Sequence, residues 1–131
     1  MFFAGDCEII HKSVRFYEKQ DLTNVCNLYN LANEYYLNKK YQKALNTYED
    51  IITINPKEER AYLKRARIYK DFNKDNNANR EFIRLVKNIP NSVKGNEMMF
   101  RFHKNVTEDY DIALKDINKL IELTKGQNYF K

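Results

Sequence analysis

Turn-forming residues are scarce: the 131 residues include three glycines (Gly5, Gly95, Gly126) and two prolines (Pro56, Pro90). A β-sandwich or barrel needs many tight turns, so this scarcity excludes both and leaves helices as the economical architecture. No run approaches the ~18 apolar residues of a membrane span, and the N-terminus MFFAGDCEIIHK has no basic segment leading into an apolar one. A soluble, cytoplasmic chain with no membrane partner is expected. Three isolated glycines cannot build a phosphate loop, and HExxH, GxSxG and a Walker-type lysine are all missing. His11 and His103 have no cysteine or second histidine at ligand spacing, so both read as structural and neither metal nor cofactor is expected. The two cysteines, Cys7 and Cys26, form no CxxC pair and are read as reduced, partly buried thiols rather than as a disulfide or metal site. Charge of one sign is also missing: 23 basic residues are interspersed with 18 acidic ones, giving a net +5 that permits an acidic partner without requiring one.

What is present is a globular balance, 43% hydrophobic and 31% charged, on a length suited to one domain. It is organised by a repeat. Residues 25–58 superimpose on 59–92 without a gap. Ala32 falls on Ala66, Tyr35 on Tyr69, Ala44 on Ala78, Tyr48 on Phe82, Ile51 on Leu85 and Pro56 on Pro90, while Leu28 is matched by Tyr62. Small residues where two helices approach closely, aromatics between neighbouring units and a proline after the second helix are what a helix-turn-helix unit needs. The pattern resembles the tetratricopeptide repeat (TPR), and the resemblance implies an all-α solenoid of about seven helices in a right-handed superhelix. Arg65 departs from it, standing where the family has an apolar residue.

A divergent third unit is expected over 93–126, with Tyr110, Ala113, Ile117 and Leu120 reproducing the second helix one residue late, and with its first helix in NEMMFRFHKN. Backwards, Gly5-Asp6-Cys7 followed by Ile10, Val14 and Tyr17 resembles the turn and second helix of a half repeat over 5–22. No polar cap is evident at either end, and self-association through open ends, around Met98 to Phe102 and at the half repeat, is expected as an alternative role. The last helix is expected to stop at Gly126.

In this family the first helix of each unit lines a concave groove. The resemblance therefore points to Cys26, Tyr29, Asn30, Asn33 and Leu37 in the first unit and to Arg60, Leu63, Lys64, Arg67 and Asp71 in the second. Arg60, Lys64 and Arg67 recur at i, i+4, i+7, which puts three cations on one helix face. Cations at fixed spacing suit a carboxylate. Asn30, Arg60 and Lys64 partly resemble the carboxylate clamp of co-chaperones, although the basic pair runs arginine then lysine. The expected function is a non-catalytic adaptor that holds an acidic or C-terminal segment of another protein on Asn30, Asn33, Arg60, Lys64 and Arg67. Packing claims most of the ten tyrosines and eight phenylalanines, so nucleic acid is the least favoured partner.

Overall fold

A computed structural model describes residues 7–125. Among the described residues are seven helices and no strand: α1 (Val14–Glu18), α2 (Val25–Leu37), α3 (Tyr41–Ile54), α4 (Glu59–Asp71), α5 (Asp75–Asn88), α6 (Val93–Asn105) and α7 (Tyr110–Thr124). Each helix packs on its neighbours in the chain, as in a stack whose units touch only the next unit. Side chains close four of the N-termini, with Ser13, Asn24, Ser92 and Asp109 accepting from the backbone N–H groups of Phe16, Asn27, Gly95 and Ile112. Gly5, Asp6 and the expected stop at Gly126 lie outside the described residues.

The turn within each unit repeats a single left-handed residue, Lys39, Asn73 and Glu108, with φ of 61°, 56° and 54°. In the first two units the N–H groups of Lys40 and Lys74 donate back five residues, to the carbonyls of Tyr35 and Tyr69, at 2.8 Å. In the third, Asp109 donates to His103, six residues back, at 2.9 Å. The additional residue of the third unit therefore lies in this turn, and α6 keeps the register of α2 and α4. Asn96 takes the place of Leu28 and Tyr62. It also makes the same contact as Tyr62: Tyr62 Oη donates to the Pro56 carbonyl at 2.7 Å, and Asn96 Nδ2 to the Pro90 carbonyl at 3.0 Å.

The core follows the repeat. Ala32, Ala44, Ile51, Ala61, Tyr62 and Leu85 are fully enclosed, and a smaller cluster of Ala66, Ala78 and Phe82 packs against Met98 and Met99. The stretch Met98 to Phe102, expected as an open end, thus lies on the helix between α5 and α7. Gly95 allows that approach, because a Cβ there would stand 3.0 Å from Leu85 Cδ2 and from Ser92 Oγ. Arg65, out of pattern in the sequence, is held in a half-buried ionic network. Its Nε donates to Glu81 Oε1 at 3.1 Å and one Nη to the Leu45 carbonyl at 2.6 Å. Arg84 joins Glu81 to Glu49 with contacts of 2.9 and 3.0 Å to the Glu49 carboxylate. Glu81 is only 4% exposed, so its charge depends on these guanidinium groups.

At the N-terminal end, residues 7–13 carry no helix and α1 has five residues, so less of a second helix is present than the half repeat predicts. Tyr17 nevertheless packs into the core, and its hydroxyl donates to the Ile10 carbonyl.

Two measurements check this packing. Glu81→Leu removes the shared carboxylate and leaves enclosed Arg65 with only its longer 3.6 Å ionic contact to Glu49, and is expected to destabilise the fold by about 3 kcal/mol in denaturant titration. Burial also holds the Tyr48 phenol up to about 12 and raises Tyr29, Tyr35 and Tyr62 above the ordinary tyrosine value. These phenols keep their protons in the folded chain and lose them near pH 10 when unfolded. Stability present below about pH 10 should be lost as pH rises towards about 12, with phenolate absorbance and loss of helical circular dichroism appearing together.

Candidate functional site

The α4 cations stand along a cleft between α2 and α4. The cleft encloses about 110 Å³ and is lined by Asn33, Tyr36, Leu37, Tyr48, Lys64, Arg67 and Ile68. Lys64 is half-buried, and its ammonium is pushed below the ordinary lysine value, first by loss of water and then by the neighbouring charges of Arg60 and Arg67. Among the described residues no ion pair engages Lys64 or Arg67. One carboxylate stands at the cleft: Asp71 accepts from the lining Tyr36 Oη at 2.7 Å. Glu58 accepts from Tyr29 Oη at 3.3 Å. Arg60 lies with its guanidinium over the Tyr29 ring, 5.5 Å from the centroid.

A larger cleft of about 280 Å³ between α5 and α6 has a different character. Its cations are engaged already, Arg101 with Glu97 at 2.9 Å and Lys70 over the Phe82 ring at 5.4 Å. The α2–α4 cleft is the stronger candidate for an anion because Lys64 and Arg67 on its wall have no ion-pair partner among the described residues.

Of the five residues expected to hold the partner, Asn33, Lys64 and Arg67 line one cleft, and Arg60 adds its charge from the next turn of α4. Asn30 is placed differently. It is 6% exposed and its amide is taken up by the chain itself: Oδ1 accepts from Ile10 N at 3.0 Å, and Nδ2 donates to the carbonyls of Glu8 and Cys26 at 3.1 Å. The segment before α1 therefore lies along the first unit, and His11 adds a 3.4 Å contact to Glu34. His103 likewise has a structural partner, Asp116, at 2.6 Å.

This placement corrects the reading of the cysteines. Cys7 and Cys26 form a disulfide, with Cα atoms 5.4 Å apart, and are not reduced thiols. Laying residues 7–13 against α2 brings Cys7 over the first turn of that helix, a proximity that a separation of nineteen residues in sequence does not display. Tyr36, Tyr48 and Ile68 also line the cleft and were missed as site residues. Tyr36 was within reach of the periodicity, three residues after Asn33 and seven after Tyr29.

Reduction with a dithiol is expected to cost about 3 kcal/mol, since the bond closes a loop of roughly twenty residues. Hydrogen exchange should then rise at the amides of residues 8–13 while the α4–α5 pair stays protected.

The tetratricopeptide repeat family model matches residues 26–58. No curated protein matches the chain at a significant level of sequence similarity. Among solved structures, a crystal structure of MamA matches with a TM-score of 0.69 at 17% identity, covering 89% of this chain and 70% of that one. A second MamA crystal structure gives 0.66 at 16%, covering 90% and 66%, and a MamA RS-1 ArsTM double mutant gives 0.66 at 18%, covering 88% and 66%. The chain thus spans about two thirds of the length of these proteins, and at such identities the likeness shows a shared fold.

Proposed function

We propose, from the match of residues 26–58 to the tetratricopeptide repeat family model and the recurrence of that helix pair along the chain, that this is a non-catalytic interaction module whose α2–α4 cleft takes a carboxylate-bearing segment of another protein. The observation that carries this reading is the state of Lys64, an ammonium partly withdrawn from water, beside two further cations and without an ion-pair partner among the described residues. Such an arrangement costs folding energy by itself and is relieved when an anion arrives. Asn33 can donate to the same ligand, while Tyr36, Leu37 and Ile68 give the cleft an apolar wall for the aliphatic part of an acidic residue.

Asn30 has a different role in this reading: it holds Glu8 and Ile10 and so sets the edge of the groove. No group of three His, Cys, Asp or Glu among the described residues could hold a metal ion, and no helix among them is long and apolar enough to cross a membrane. The Cys7–Cys26 disulfide favours an oxidising compartment over the cytoplasm expected from the sequence.

The test is binding of an acidic peptide with a free C-terminal carboxylate, followed by fluorescence anisotropy. Affinity should fall steeply with salt, and Lys64→Glu/Arg67→Glu should weaken it by about tenfold or more without lowering the melting temperature. Lys64→Met should weaken binding and leave stability equal or slightly higher, within about 0.5 kcal/mol. Equal affinity of wild type and the double variant would sink the reading.

A further inference from the structure

Among the described residues, one face of α7 is apolar and uncovered. Tyr110, Leu114 and Ile121 on α7 are 64%, 59% and 48% exposed, and with the partly buried Ile117 they form one stripe at spacings of four, three and four. Counting back through the repeat, 34 residues and then 35, these four are the counterparts of Tyr41, Leu45, Tyr48 and Ile52 on α3. There the same positions are covered: Leu45, Tyr48 and Ile52 are 7%, 2% and 4% exposed, and Tyr41 stacks edge-on to Phe72 at the end of α4, centroids 4.8 Å apart. The α7 stripe is thus the contact face of a repeat helix with no helix on it among the described residues.

The residues beside the stripe indicate what covers it. On one flank Ala113, Asp116 and Leu120 face α6, where Asp116 meets His103. On the other flank stand Asp111, Lys115, Asn118, Glu122 and Lys125, all exposed and without an ion pair among the described residues. Read along the helix, this column runs negative, positive, neutral, negative, positive. Reversed, it runs positive, negative, neutral, positive, negative, so turning it end for end about Asn118 sets every acid opposite a base.

We propose that α7 pairs with α7 of a second copy of this chain, antiparallel, across a two-fold axis near Asn118. In an antiparallel helix pair a given flank faces the same flank of its partner, so Asp111 meets the partner copy's Lys125 and Lys115 meets its Glu122, while Ile117 and Ile121 close on the partner copy's Ile121 and Ile117. A parallel pair would bring this flank against the opposite one and lose the match. The cleft between α2 and α4 contributes nothing to this contact, so dimerisation and peptide binding can fail independently.

The test is sedimentation velocity with light scattering on the full chain over a wide concentration range. Wild type should pass from monomer to dimer. Ile121→Asp should be monomeric with helical circular dichroism unchanged. Lys115→Glu reverses two symmetry-related contacts and should weaken the dimer by about tenfold, while Lys115→Glu/Glu122→Lys should return it to near wild type. A wild type that stays monomeric at every concentration, open-ended growth beyond the dimer, or a double variant no tighter than Lys115→Glu would each overturn the proposal.

Discussion

Close approach at alanine is the constraint on which the other features rest. Ala32, Ala44, Ala66 and Ala78 are all at most 1% exposed, and at each the absence of a larger side chain lets one helix of a unit lie against the next. With that spacing set, the aromatic and aliphatic positions of the repeat meet at fixed heights, and successive first helices come out side by side. The α2–α4 cleft is a product of that alignment. The Tyr36–Asp71 hydrogen bond joins its two walls at one end, and the buried faces behind them set their spacing.

The same alignment explains why the cleft can hold mismatched charge. Lys64 and Arg67 belong to a helix anchored by Ala61, Tyr62, Ala66 and Ile68, so like charges cannot relax by moving the backbone. Arg65, one position on from Lys64, faces the other way and is satisfied by Glu81. One helix thus carries two sets of cations with opposite fates, one matched inside the stack and one left for the groove.

Much of this was legible in the sequence because the repeat is a short-range pattern. The alanines, the paired aromatics and the two prolines identified the units, and helical spacing put Lys64 and Arg67 on one face. Three features were not legible, for a shared reason. The use of Asn30 by Glu8 and Ile10, the Cys7–Cys26 bond and the burial of Arg65 against Glu81 all join residues at separations no periodic pattern encodes. A segment running without helix across a helix face leaves no period to detect, and a buried guanidinium is identified only when its carboxylates are seen to surround it. The third unit falls between these cases: its added residue was visible as a shift of one, but locating it in the turn before Asp109 needed the backbone hydrogen bonds.

The core is unevenly distributed along the stack. From α1 to α5 it is continuous, yet on α7 only Ala113 and Leu120 are buried, and Asn96 occupies a position filled by Leu28 and Tyr62 in the earlier units. In a nearest-neighbour array each unit draws its cohesion from the units on either side, and α7 has such a neighbour on one side only among the described residues. The α6–α7 hairpin is therefore the weakest link of a graded chain, able to open and close while the first two units remain folded, so one folding free energy does not describe the whole molecule.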